Sequence, residues 1–417
     1  MCRRKKNLSA QTSTARLPWA VWWATRAGIG IAIGSLIMPV TAPPVSASSG
    51  RAINRTPHAT TSTQSSLYGV SCATLTACTA VGSYQKNFGA PFSMAERWTG
   101  TRWSLLPNPN PTGTSESSFN DVSCIAATMC TAVGFIGLGR TLAEQWNGTS
   151  WTIQPTPTPA GVTESILQGV SCTSATACVA VGVSYANGST PPLAERWNGT
   201  RWILQSVPSP AGATFSELQR VSCMSAKACI AAGDFGDSAG NYFTLAERWD
   251  GAKWTIQRTP NPGGAALSFL FGISCTSTTS CAATGHSTNS AGSDATLAER
   301  WNGTSWAIEP TPNHTGTRLN DLFGISCTSA TACFAVGDFG DTGNYFTLAE
   351  RWNGTRWAIQ PTPMPGLVSS LFGVSCTSAS SCTGVQSYSR DLSTFLTLAE
   401  RWNGTSWSVE PTPNPTG

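Results

Sequence analysis

Phe323-Gly-Ile-Ser-Cys-Thr-Ser-Ala-Thr-Ala-Cys-Phe-Ala-Val-Gly337 and Leu348-Ala-Glu-Arg-Trp-Asn-Gly-Thr-Arg-Trp-Ala-Ile-Gln-Pro-Thr-Pro363 are the two halves of one repeated phrase. In the first half, Phe323–Cys327 and Cys333–Gly337 are short apolar runs around a small polar connector. Facing positions on an antiparallel hairpin bring two Cα atoms to roughly 5.5 Å, the separation a disulfide asks for. The spacing therefore predicts two strands clipped by a bridge at their turn. In the second half, Thr347–Trp352 alternates as a third strand should. Asn353-Gly354 reads as a two-residue hairpin turn, because both residues accept positive φ. Trp357–Gln360 returns as the fourth strand, and Pro361 and Pro363 end it by withholding ladder donors.

The phrase recurs seven times. Its cysteine pairs are Cys72/Cys78, Cys124/Cys130, Cys172/Cys178, Cys223/Cys229, Cys275/Cys281, Cys327/Cys333 and Cys376/Cys382. Successive first cysteines lie 52, 48, 51, 52, 52 and 49 residues apart. A period near fifty marks one supersecondary unit copied into an array. Four short strands per unit with no helix-period segment predict an all-β fold, a seven-bladed β-propeller with four antiparallel strands and one internal disulfide per blade. A right-handed β-solenoid is the alternative, but its rungs are usually shorter and lack tight hairpins. Zinc is the competing use of the cysteines. It wants four converging ligands, and no histidine or second cysteine pair recurs beside each C-x5-C.

The first 47 residues carry Arg3, Arg4, Lys5, Lys6, Arg16 and Arg26 and no acid. An apolar run over 27–40 and the small-x-small end Val45-Ser-Ala47 follow, the pattern of an export signal. An uncleaved anchor is the other reading, since 17–40 is long enough to span a bilayer. Without those six cations, nineteen basic residues face twenty-one acidic ones, so the remaining chain is near −2. No basic stripe is left to meet phosphates, which argues against nucleic acid as a partner. The expected organisation is an export segment (1–47), a Ser/Thr-rich lead-in (48–65) with a partial repeat tail at Ile53–His58, and a propeller over 66–417. A secreted monomer is expected, with membrane attachment only through an uncleaved anchor.

Fourteen of the 17 tryptophans fall two per repeat, five apart across the Asn-Gly turn. In the predicted hairpin Trp352 and Trp357 share a face with Leu348 and Glu350, while Ala349 and Arg351 point the other way. Both faces of a blade are covered by neighbours, so these rings are expected between blades rather than under a sugar. Glu350 and Arg351 are expected to pair across adjacent blades, with one pair missing where Gln145 replaces the arginine. The Asn-Gly-Thr tripeptides at 147, 198, 302, 353 and 403 match the glycosylation acceptor, and their turn role explains them.

Val170-Ser-Cys-Thr-Ser-Ala-Thr-Ala-Cys178 and Leu297-Ala-Glu-Arg-Trp-Asn-Gly-Thr-Ser-Trp306 resemble the repeats of secreted bacterial propeller-like proteins, broadly similar to kelch and galactose-oxidase-like propellers. The resemblance covers 67–417. It implies a fold and carries no functional residues.

No serine elbow, H-E-x-x-H, P-loop or dinucleotide glycine motif is present. The histidines, His58, His286 and His314, are placed in loops or in the amino-terminal stretch. Recognition is expected where the copies diverge, on the face shared by the two–three loops and the blade connections. Two copies carry a near-duplicate there, Asp234, Phe235, Asp237, Asn241 and Tyr242 in the fourth and Asp338, Phe339, Asp341, Asn344 and Tyr345 in the sixth. One reading is recent duplication and an ordinary Asp/Gly turn. The functional reading is a paired site for an extracellular glycan or protein, with Ca²⁺ as a candidate ion on the aspartates. No other cofactor and no catalytic residue is expected. The alternative is an extracellular glycoside hydrolase or lyase with carboxylates at the channel mouth.

Overall fold

The computed structural model describes residues 63–415 except 88, 109, 111–113, 187 and 342. The export segment and the repeat tail at 53–58 lie outside the described residues. Every described strand belongs to one of seven four-stranded antiparallel sheets, each built from a single repeat. In blade 6 the strands are Leu319–Ser329, Ala332–Asp341, Asn344–Trp352 and Trp357–Gln360. Blades 4 and 5 are further joined by a parallel bridge, Tyr242 to Leu267. No described residue is helical.

The seven first strands stand side by side around the axis, and that of blade 1 packs between those of blades 2 and 7. Leu67, Cys78 and Trp98 of blade 1 pack with Val385 and Ala399 of blade 7. Leu322, Cys333 and Trp352 of blade 6 meet Ala282 and Ala298 of blade 5 in the same way. The ring thus closes by repeating its ordinary interface, and within the described residues no strand is exchanged between the first and last repeats. Third before the first cysteine, five of the seven blades have glycine. A Cβ at Gly324 would lie 2.8 Å from the Phe372 carbonyl oxygen, and one at Gly373 2.8 Å from that of Tyr68. At Gly324 and Gly373 the next first strand is so close that it leaves room for a hydrogen and nothing larger.

Each cysteine pair is a disulfide between facing residues of strands one and two, with Cα atoms 3.9–4.0 Å apart. That is closer than the expected separation. Seven such bridges suit an oxidising compartment.

The bridges also differ from simple clips on an exposed turn, because their two ends lie at different depths. The first cysteines, Cys72, Cys124, Cys172, Cys223, Cys275, Cys327 and Cys376, are half-buried. The second ones, Cys78, Cys130, Cys178, Cys229, Cys281, Cys333 and Cys382, are buried core residues, at most 3% exposed. The cause is their place in an inner strand, paired on its far side with the first tryptophan of strand three. Cys130 faces Trp146, Cys229 faces Trp249, Cys281 faces Trp301 and Cys382 faces Trp402. The preceding blade then covers them, as Val81 and Ala95 of blade 1 do in the cluster of Cys130. The second sulfur of each bridge thus packs in the interface with the preceding blade.

The three–four turn differs from the prediction. Trp352 pairs directly with Trp357, so the connection has four residues, Asn353 to Arg356. Only Gly354 takes a positive φ, 96°. Asn353 instead turns its side chain inward, and its Oδ1 accepts from the Thr355 amide, the Thr355 hydroxyl and the Arg356 amide. The local hydrogen bonds explain the whole Asn-Gly-Thr tripeptide. A Cβ on Gly354 would lie 3.0 Å from Thr331, so the one–two and three–four turns share one side of the disc. The two–three loops and blade connections share the other, hereafter the loop face.

The fourteen paired tryptophans are buried between blades, the two rings of each pair about 6 Å apart, as in Trp352 and Trp357 at 5.8 Å. The glutamate–arginine pairing is overturned. Arg97, Arg300, Arg351 and Arg401 instead lie over the first tryptophan of the next blade, 4.8 Å for Arg300 on Trp352 and 4.8 Å for Arg401 on Trp98. Alternation puts the glutamate on the opposite face, looking back at the preceding blade. Glu96, Glu144, Glu195, Glu247, Glu299, Glu350 and Glu400 are all fully buried. Burial pushes each carboxyl up to about 8. The partner, where there is one, is mostly a threonine hydroxyl of the preceding blade, such as Thr397 donating to Glu96 at 3.3 Å. Pro192 takes that position in blade 3, and Glu247 of blade 4 has no such donor to offset its burial.

Candidate functional site

The second and third strands of blade 4, Ala228–Asp237 and Tyr242–Trp249, bring the near-duplicate loop to the loop face, and its residues divide by depth. Asp234 is buried at 1% exposure, opposite Glu217 on the first strand and Thr244 on the third. Phe235 packs on Phe243, ring centres 5.2 Å apart. Asp237 caps its own turn, accepting from the Ala239 and Asn241 amides at 2.8 and 3.0 Å and from Asn241 Nδ2 at 2.9 Å. These bonds, Asn241 foremost, hold its carboxyl below the usual range. Tyr242 is partly exposed and lies between Phe215 (5.9 Å) and Phe269 (5.4 Å), both partly exposed as well. The three rings bridge blades 4 and 5 as one platform.

Blade 6 does not reproduce this. Its loop is one residue shorter, Asp341 and Asn344 remain paired in the ladder, and Tyr345 is buried. Asp338 faces inward and accepts from the Ser370 hydroxyl at 2.6 Å. Phe339 is covered by His314, whose ring stacks at 3.6 Å. Two copies of one sequence thus present different surfaces, because one deleted residue lets the strands run to the tip of the loop.

His286, expected in a loop, is in the second strand of blade 5 (Ser280–Asn289) and 3% exposed. Its Nδ1 lies 2.8 Å from Asp321 Oδ1 of blade 6. Asp294 joins them, and among the described residues these three form the group of histidine and acidic side chains near enough to share a metal ion. The aspartates of the near-duplicate loops are not part of it. Glu217 and Asp234 form a second buried constellation, with the Gln219 amide on Glu217. Burial raises both acids, and proximity prevents both from ionising together.

The channel holds two residues that break the glycine position, Asp121 in blade 2 and Arg220 in blade 4. The guanidinium passes over Gly169 of blade 3 and lies 3.8 Å from Asp121. It also donates to the carbonyls of Gln168, Gln219 (3.0 Å) and Asn120 (3.2 Å). Burial raises Asp121, and Arg220 and the Val170 amide oppose that shift. Four before the first cysteine, Tyr68, Phe271, Phe323 and Phe372 make an aromatic side of the channel, and Asn120, Gln168 and Gln219 an amide side. Between them is a cavity of about 100 Å³. Phe-Asn-Asp-Val-Ser-Cys and Leu-Gln-Arg-Val-Ser-Cys beside Leu-Phe-Gly-Ile-Ser-Cys carried this signal in the sequence, but only alignment of the copies on their cysteines exposes it.

No protein-family model and no curated protein sequence matches the chain. Solved structures do. A xyloglucanase from Xanthomonas campestris is similar with a TM-score of 0.53 and 11% identity over 84% of this chain and 55% of its own. The chain thus spans about half the length of that enzyme. A polysaccharide lyase, an ulvan lyase solved with a GlcA–Rha3S saccharide, is similar with a TM-score of 0.54 and 8% identity over 84% of this chain and 99% of its own. The lectin SapL1 follows with 0.45 and 13% identity over 72% and 97%. At these identities the likeness concerns the fold. The chain is a β-propeller.

Proposed function

We propose that this is an exported propeller that binds an extracellular polysaccharide on its loop face. The carrying observation is the platform of Phe215, Tyr242 and Phe269, three partly exposed rings spanning two blades beside the polar rim of Asp237 and Asn241. Rings held by strand ends offer rigid apolar faces for the C–H faces of sugar rings, and the adjacent amide and carboxylate offer hydrogen bonds to hydroxyls. The xyloglucanase and the polysaccharide lyase act on polysaccharides with the same fold, but the platform carries the reading. Affinity electrophoresis against a polysaccharide panel, with and without Ca²⁺, tests it. Tyr242→Ala and Phe215→Ala should weaken binding about tenfold or more with little change in melting temperature. Undiminished binding in both variants refutes the assignment.

One observation favours a second reading, cleavage of the same polymer by acid–base chemistry. Glu217 and Asp234 sit opposite each other, both made weaker acids by burial and coupled to one another, the arrangement that separates an acid from a base. At 3% and 1% exposure they are sealed from a polymer in this conformation, so binding is the stronger reading. Release of reducing ends or of unsaturated products by the wild type, lost in Glu217→Gln, would reverse that order.

A further inference from the structure

We propose that His286, Asp294 and Asp321 hold one divalent transition-metal ion, of the Zn²⁺ or Mn²⁺ kind, between blades 5 and 6. The donor atoms, one imidazole nitrogen and two carboxylate oxygens, all lie within 4.8 Å of one another. That spread suits ligands at about 2.0–2.2 Å from a shared ion after a small contraction. Exposure is 3%, 9% and 0%, so this is an interior site rather than a solvated acidic patch. Buried carboxylates are normally paired or metal-bound, and here two of them converge on one imidazole.

The ligands are also held as metal ligands usually are. The imidazole packs against the stacked pair Phe269 and Phe271, ring centres 5.0 and 5.3 Å away. Thr288 donates to Asp294 Oδ1 at 2.7 Å and so fixes the orientation of that carboxylate. The imidazole nitrogen selects against Ca²⁺ and Mg²⁺, which prefer all-oxygen shells. Binding is an exchange. The ion takes a neutral imidazole and ionised carboxylates, so a proton held on any of the three groups leaves to solvent on binding.

The repeat supports a special role for this interface. At the position of His286 the other blades have Ser83, Phe135, Val183, Asp234, Asp338 and Ser387. At that of Asp321 they have Ser66, Ser118, Ile166, Glu217, Phe269 and Ser370. Phe269 touches both Tyr242 and His286, so the ion would also brace the aromatic platform from below.

The test uses the full mature chain, stripped with EDTA and titrated calorimetrically with Zn²⁺ and separately with Mn²⁺, alongside thermal unfolding. The expected result is about one ion per chain and a higher melting temperature on loading. His286→Gln and Asp294→Asn should each weaken binding at least about tenfold. Asp294, nearest the surface, is the variant expected to fold in any case. Binding of neither ion in the stripped wild type overturns the proposal, as does stoichiometric binding that Asp294→Asn leaves unchanged.

Discussion

Replacing Glu350 by glutamine should stabilise this protein at pH 8 and do almost nothing at pH 4.5. The carboxyl is fully buried, and burial raises it from 4.5 to about 8. Between those values the folded chain binds a proton that the unfolded chain does not, so stability falls as pH rises. Below 4.5 both states are protonated and the contribution is complete; above 8 it is lost. From pH 4.5 to pH 7 the loss for one group is at most roughly 3 kcal/mol. Seven groups at that figure would total roughly 20 kcal/mol, beyond the whole stability of an ordinary domain. One glutamine is therefore expected to gain between about 1 and 3 kcal/mol at pH 7, at least roughly 1–2 °C in a chain of this size. Glutamine keeps the shape of the side chain and never ionises. The interfaces are far apart, so a Glu144, Glu247 and Glu350 triple glutamine variant should gain close to the sum. Differential scanning calorimetry from pH 4 to pH 9 measures it, and wild type should lose melting temperature across that range faster than the triple variant. A wild-type profile that is flat or rises from pH 5 to pH 8 would refute the reasoning, because it would mean the carboxylates are ionised and compensated.

Three further outcomes follow from the interfaces. Gln145→Arg should supply the missing stack on Trp197 and add about 0.5–1 kcal/mol, read as a shift in denaturant midpoint. Arg220→Gly should cost about 1–3 kcal/mol by leaving Asp121, half-buried in the channel, without its cation, while Asp121→Gly with Arg220→Gly, the residue of five other copies at both positions, should recover most of it. Equal stability of single and double variants would show that the pair is not coupled. Removing one bridge with Cys327→Ala and Cys333→Ala should cost roughly 2 kcal/mol, since a seven-residue ring closes little chain entropy, and peptide mapping should leave the other six intact.

Much of the fold was legible because repetition multiplies weak signals. One cysteine pair six residues apart says little, whereas seven in phase with seven tryptophan pairs prescribe strands, register and facing faces. Leu348, Glu350 and Trp352 on one face and Ala349 and Arg351 on the other follow from a period of two alone. The Asn-Gly turn is harder to read, because the dipeptide is compatible with several loop lengths. The choice falls to Asn353, whose side chain can satisfy the next three donors only in a four-residue loop.

The candidate site was less legible, and depth is the reason. Asp234 and Asp237 are three apart and chemically alike, yet one is sealed opposite Glu217 and the other is exposed on its turn. His286 meets Asp321 across a blade boundary, 35 positions along the chain, and no local pattern links them. By itself the sequence determined the number of blades, the strands in each, the disulfide pairing and the side on which the copies diverge. All of these are local or periodic, so each repeat testifies to them. Tertiary structure alone decided which acids and which cysteine of each pair are buried, and that arginine stacks on tryptophan while glutamate faces the blade behind. It also decided which side chains converge at the axis and beneath the platform. Those depend on what the adjacent blade presents at contact distance, and a repeat carries no record of its neighbour's one-residue deletions and substitutions.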